Sequence, residues 1–289
     1  MTTVSPTFEA PFVRCDAGPL RGVVVVPPTG AIAQIQPLHG EAHAIADRAS
    51  EQFGIFLSRL TAYGVKTISV EPDERAPLGC LCADGAVVFA DGAFLMRPSD
   101  LKRRAEIAAL EAALERARVP IVGRIEAPGL LDGGDVMLAV GTLFIALSRP
   151  RQAEMGIPNS VHGNALGREQ LAAYARTRGL AVVEVVMAAE VKRLRSVAAL
   201  VDDRTVLYAA GLVDGEAFAG LQTIVAPRGE DYGAGVLPLG NRRVLANLRF
   251  RETIPLLRKA KITVDAIDLW EFGKIGATPS SMALALKRD

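Results

Sequence analysis

Asp132 and Asp135 stand three apart in Leu130-Leu131-Asp132-Gly133-Gly134-Asp135-Val136-Met137, with only glycine between them. Two carboxylates on a loop whose backbone can lie close against a ligand are able to hold a cation. The same stretch also reads as a polar turn between two strands, since Pro128-Gly129 precedes it and the apolar run Val136 to Val140 follows. A second candidate is His39-Gly40-Glu41-Ala42-His43, where two histidines four apart share one helical face at a spacing suited to zinc. It lacks the His-Glu-x-x-His order, no third ligand accompanies it, and an exposed helix start fits it as well. Cys80 and Cys82 offer either a nucleophile or small buried apolar side chains. Lys102-Arg103-Arg104 reads as a solvated helix face that also brings Arg103 to a site. Gly133-Gly134 lacks the spacing and the following lysine of a phosphate-binding loop.

The elements that must position these residues repeat one pattern. Gly22 to Val26 is a β-branched run stopped by Pro27-Pro28, Glu41 to Tyr63 has a helical apolar stripe (Ile45, Phe53, Phe56, Leu57, Leu60), and Val65 to Val70 resumes as strand. The second pass is two short apolar runs around Asp91-Gly92, a basic helix from about Leu101 to Ala117, and the strand Ile121 to Ile125. Three more passes follow: Asp135 to Met187 with a helix over Gly167 to Arg178, Ser196 to Val225 with a short helix near Glu216 to Gly220, and Gly235 to Asp268 with a helix over Arg251 to Ala260. A last strand, Met282 to Leu286, closes the chain. About five copies of hairpin, helix and strand, each about 35 to 60 residues long, predict a radial α/β architecture in one domain over residues 1–289. Approximate repeats are 20–71, 85–126, 132–187, 194–227 and 235–286, and the loops at one end of the strands should converge on the axis to form a ligand site.

Composition bounds the partners. The chain has 289 residues, of which 50% are hydrophobic and 22% charged, as expected of a globular protein. Thirty-three Lys+Arg against 32 Asp+Glu leave +1, so bulk charge gives no case for nucleic acid or an anionic membrane. Met1 to Ala10 has neither a basic nor an apolar signal region, and no apolar run approaches the roughly 18 residues of a membrane span. A cytoplasmic protein is expected, and an odd number of cysteines fits free thiols in a reducing compartment.

Three stretches and the order of the elements carry a resemblance: Ala127-Pro128-Gly129-Leu130-Leu131-Asp132-Gly133-Gly134-Asp135; Arg97-Pro98 with Arg103-Arg104 and Glu106; and Ser160 to Gly167 before a helix. Together they resemble the dimethylarginine dimethylaminohydrolase branch of the guanidine-modifying superfamily, which includes arginine deiminases and amidinotransferases. The match runs from Arg14 to the final strand and implies the five-bladed α/β propeller, or pentein, fold. It also implies a cysteine nucleophile that attacks a guanidinium carbon, a histidine acid/base, and carboxylates that grip the guanidinium nitrogens, with no cofactor.

The chain departs from that pattern where the chemistry lies. In Gly276-Ala277-Thr278-Pro279-Ser280-Ser281-Met282, Ser281 stands at the cysteine position, or Ser280 if the match slips by one. Arg193-Leu194-Arg195-Ser196 puts Arg193 at the histidine position, and arginine, with a pKa of about 12.5 or more, does not exchange protons near pH 7. Pro77 to Asp84 resembles the substrate loop but keeps only Asp84 of its carboxylates. Asp132 stands at the catalytic carboxylate; Asp135 is retained; Arg103 matches a group that meets a substrate carboxylate; and His162 replaces a further arginine.

A serine without a base is a poor nucleophile, and a site that loses acids and gains Arg193 suits a guanidinium less well. The expectation is a central cavity that takes a neutral or anionic, amino-acid-like molecule, with Arg103, Arg193 and Arg195 as anion partners. Alternatively, Asp132 and Asp135 neutralise Arg193 internally. Three functions stay open: a catalytically silent relative with a small-molecule or protein ligand, a C–N hydrolase using Ser281, Cys80 or Cys82 or a changed reaction around Asp132, and a purely structural interaction protein.

Overall fold

The computed structural model describes residues 5–38, 40–148 and 163–289. The first sheet contains β1 (Leu20–Val25), followed by α1 (Ala46–Ala62) and β2 (Lys66–Ser69). The second contains β3 (Ala86–Val88), β4 (Ala93–Leu95) and, after α2 (Arg104–Arg116), β5 (Ile121–Arg124). The third has β6 (Val136–Ala139), β7 (Thr142–Ser148), α3 (Ala165–Thr177) and β8 (Ala181–Met187). In the fourth, a one-turn helix α4 (Leu194–Val197) leads into β9 (Ala198–Leu200), then β10 (Thr205–Tyr208) and β11 (Gln222–Val225). The fifth has β12 (Leu237–Gly240), β13 (Arg243–Asn247), α5 (Thr253–Lys259) and β14 (Thr263–Ile267). After α6 (Trp270–Gly273), β15 (Leu284–Arg288) returns to β1 and completes the first sheet.

Every sheet has three strands built the same way. The inner and middle strands pair antiparallel, and the middle and outer strands pair parallel. A parallel pair needs a long crossover, which explains why an α-helix falls between the middle and outer strands of four of the sheets. The fourth crossover is only a 3₁₀ turn, Gly215–Phe218, where Asp214 caps the Glu216 amide. These five sheets form the α/β propeller expected from the repeats.

Burial falls from the axis outward. The inner strands β3, β6, β9 and β12 are buried throughout, whereas β11, at the rim, is mostly exposed. Middle strands are covered on both faces and so read as unbroken apolar runs; Val23, Val24 and Val25 are wholly buried. Helix α1 buries Phe53, Phe56 and Leu60 and ends at Gly64, whose φ of 71° suits glycine. Ile45 leaves the expected stripe: it is the residue before the helix and is half exposed. Among the described residues no helix is long and apolar enough to cross a membrane.

Candidate functional site

Each inner strand is entered through a short helical turn. The turns are Cys82–Asp84 before β3, Gly133–Asp135 before β6, α4 before β9, Asp231–Ala234 before β12 and Pro279–Ser281 before β15. The first, second, third and fifth of these pack on one another, so the repeat delivers Asp84, the Asp132 loop, Arg193 and Ser281 to one end of the axis. This convergence is what five pseudo-equivalent βα units produce, and it brings together residues scattered over some two hundred positions.

The acidic loop is fixed from two sides. Leu131 and Arg97 exchange backbone hydrogen bonds of 3.0 and 3.2 Å, tying the loop to the second sheet. From the other side, Asn164 accepts the Leu130 and Gly167 amides, capping α3 while holding the loop's approach. The two glycines are required by contact. A Cβ at Gly133 would meet the Ala83 carbonyl at 2.3 Å, and one at Gly134 would meet Asp84 Oδ1 at 2.3 Å and Arg193 Cδ at 2.9 Å.

Asp84 is the hub. It is wholly buried, and its Oδ2 accepts Arg103 Nη1 and Arg193 Nε, each at 2.5 Å. Arg103 also donates to Glu106, at 2.8 Å through Nη2, and to the carbonyls of Leu78 and Leu81. Burial alone would raise the Asp84 carboxyl, but Arg193 and Arg103 outweigh it and hold it below the usual range. At Asp132 the balance goes the other way: burial and the Asp84 charge push it up to about 7, against the pull of Arg103 and Arg193. Asp135 is driven well above the normal carboxyl range by burial, Asp132 and Asp84, although it accepts the Leu194 amide at 3.3 Å.

These contacts correct the expected anion partners. Arg103 is held by Asp84, Glu106 and two carbonyls, so it does not stand ready for a substrate carboxylate. Arg195 reaches Asp16 at 2.7 Å and the Val136 carbonyl at 2.6 Å. Asp16 in turn bridges to β6 through the Leu138 amide, so this pair fastens the leader to the third sheet. Arg193 pairs with Asp84, an acid other than the Asp132 and Asp135 considered from the sequence, and its charge also acts on both of those.

The serine is equally engaged. Ser281 is wholly buried; its hydroxyl donates to the Thr278 carbonyl at 2.8 Å and accepts the Thr278 amide at 3.0 Å, completing a capping box. Ser280 donates to the Arg195 carbonyl at 2.9 Å. Neither serine contacts a basic side chain among the described residues. Cys80 and Cys82 are buried and pushed up to about 12 by burial, and Cys82 donates to the Val24 carbonyl. A thiol in that state does not supply a thiolate.

The structure also holds charged and polar groups that sequence reading passed over, near the site and away from it. Tyr232, in the turn before β12, lies near enough to Arg193 for the charge to bear on its phenol, which burial raises. Glu271 and Lys274 form a buried ion pair of 2.7 Å whose carboxylate also accepts the Ile45 amide. Neither has a motif; only the i, i+3 spacing of Glu271 and Lys274 hints at the second. His162 and His39 lie outside the described residues. Among the described residues no group of three or more His, Cys, Asp or Glu side chains is arranged to hold a metal ion.

No family model matches the chain. It is 30% identical over 239 residues to the N(G),N(G)-dimethylarginine dimethylaminohydrolase of Streptomyces coelicolor, covering 83% of this chain and 86% of that protein. It is 28% identical to the enzyme of the same name from Pseudomonas aeruginosa, over 82% of this chain and 88% of the relative. The solved structure of a Cys-to-Ser mutant of the Pseudomonas aeruginosa protein, complexed with citrulline, superposes with a TM-score of 0.82 at 25% identity, covering 92% of this chain and 99% of that one.

Proposed function

The chain belongs to the dimethylarginine dimethylaminohydrolase family of the guanidine-modifying pentein superfamily, and we propose that it is a member that binds a small amino-acid-like molecule at the propeller axis without Cys-dependent guanidine hydrolysis. The observation that carries this reading is the state of the two positions that match the family's nucleophile and acid/base. Ser281 spends its hydroxyl on the Thr278 backbone, and Arg193 is an ion-paired, permanently charged group. An alkoxide needs a proton acceptor within reach, and Asp84 is held ionised by two arginines whose charge lowers its basicity.

A ligand site is supported from a second direction. The similar Pseudomonas aeruginosa structure carries a serine in place of a cysteine and holds citrulline, so a serine-bearing propeller of this family is compatible with a bound amino acid. Citrulline has a neutral ureido group, which suits an axis whose carboxylates are already paired or protonated better than a cationic guanidinium does.

Thermal unfolding with citrulline, arginine, dimethylarginine and small carboxylates, run beside an assay for released amine and citrulline, tests the reading. Stabilisation by a neutral amino acid without product is expected. Turnover of dimethylarginine, or no stabilisation by any of these compounds, would overturn it.

A further inference from the structure

Arg193 sits in a seat made for a guanidinium. Its aliphatic stem runs over Gly134, where even a methyl group would come within 2.9 Å of Cδ and 3.1 Å of Cγ. Its Nε reaches the Asp84 carboxylate at 2.5 Å, with 5% of the residue exposed. We infer that Arg193 is a built-in ligand: its guanidinium occupies a guanidinium seat between Asp84 and the Gly133-Gly134 loop, and so keeps free guanidinium compounds out of the axis.

Three further features support this inference, which rests on the non-hydrolytic reading above. First, the fit of Arg193 is incomplete. Both arginines converge on Asp84 Oδ2, while Oδ1 is buried with no hydrogen-bond partner among the described residues. A carboxylate is satisfied best by a parallel two-bond fork, which an end-on Nε contact does not supply. Second, Arg103 cannot move into the gap, because Glu106 and two carbonyls hold its other nitrogens. Third, Arg193 enters from the residue before α4, and its backbone is extended at φ −151° and ψ 135°, so the side chain reaches the seat from the lip of a turn and is not threaded through a helix. A tethered group competes at an effective concentration in the millimolar range, so free guanidinium compounds lose to it in the intact chain. Shortening Arg193 leaves Asp84 with only one of its two guanidinium partners, Arg103, and opens the stem groove over Gly134, which together select a monosubstituted guanidinium.

The test is Arg193→Ala titrated with methylguanidinium, with methylammonium as control, read by thermal unfolding. The variant should unfold at lower temperature than the intact chain and recover about 2–3 °C at about tenfold excess of methylguanidinium over its Kd. Methylammonium should restore nothing, and the intact chain should not respond to either. Arg193→Ala with Asp84→Asn should lose the recovery, and Arg193→Lys should not respond, because its ammonium still covers the carboxylate. If Arg193→Ala is insoluble alone, recovery of folded protein only when methylguanidinium is present during purification counts for the inference. An equal response in the intact chain and Arg193→Ala, no response in the variant, or no recovery of an insoluble variant overturns it. These readouts are of stability, so turnover of dimethylarginine by the intact chain would remove the non-hydrolytic reading and leave the outcome for Arg193 separately visible.

Discussion

Arg193 Nε meets Asp84 Oδ2 at 2.5 Å across the axis, joining two residues 109 positions apart that lie in turns of different blades. Arg103 shares the same oxygen, so one carboxylate holds two buried guanidinium groups. Removing that carboxylate breaks the Arg193 pair and leaves Arg103 with Glu106 alone, and breaking a buried pair costs about 3–5 kcal/mol. Asp84→Asn is therefore expected to lower stability by that order in denaturant titration, more than Glu106→Gln, whose partner keeps Asp84.

Gly134→Ala places a methyl group against Asp84 Oδ1 and the Arg193 stem. Overpacking of this kind costs about 1–3 kcal/mol. The loss should be less than additive with Arg193→Ala, because the double variant removes one of the two clashing groups. Additive unfolding free energies in the double-mutant cycle would mean that the stem does not lie on the glycine.

Asp135 gives a pH signature. Its folded carboxyl lies well above the usual value, so between the unfolded pKa and the folded one the native state binds more protons than the unfolded state. Stability should therefore fall as pH rises through that interval, and the group contributes most in acid. Asp132, raised to about 7, acts in the same direction. Asp135→Asn, which keeps the oxygen that accepts the Leu194 amide, should raise the melting temperature at pH 8 and change it little near pH 4. A variant that is destabilised equally at both pH values contradicts the buried, protonated carboxyl.

The serine turn predicts an asymmetry. Ser281→Ala removes one half of the capping box and should cost about 1 kcal/mol of stability. Ser281→Cys restores a thiol but leaves Arg193 on Asp84 and, among the described residues, no basic side chain hydrogen-bonded at position 281, so it should release no citrulline from dimethylarginine. Citrulline from Ser281→Cys alone would show that a base lies in reach. Likewise Cys15, Cys80 and Cys82 are all buried, and a thiol reagent at pH 8 should label none in the native chain and all three after unfolding.

The repeat was legible because hairpin, helix and strand each leave a local signal, and the Asp91-Gly92 turn and the valine run of β1 sit where those signals place them. Asp132 and Asp135 were legible because glycine between carboxylates is unusual enough to mark a close approach, and Gly134 indeed lies against Asp84. The pairing of the charges was not legible. Asp84 meets Arg193 and Asp16 meets Arg195 at separations of 109 and 179 residues, and only closure of the sheets around the axis decides which carboxylate each arginine reaches. Reading Arg103 and Arg195 as anion partners did not anticipate these pairings: Arg195 meets Asp16 of the leader, and Arg103 meets Asp84 and Glu106 within its own blade. Ser281 was visible as a hydroxyl, but the Thr278-x-x-Ser281 spacing that commits it to a cap was there to be read as well.

The most direct measurement is citrulline and dimethylamine release from dimethylarginine by the purified intact chain, at enzyme concentrations high enough to detect a few turnovers per day. No product above the level without protein is expected, together with a melting temperature raised by citrulline. Product formed by the intact chain and abolished in Ser281→Ala or Asp132→Ala would contradict the non-hydrolytic reading, because it would require a nucleophile and a base at an axis where Ser281 and Asp84 are already committed.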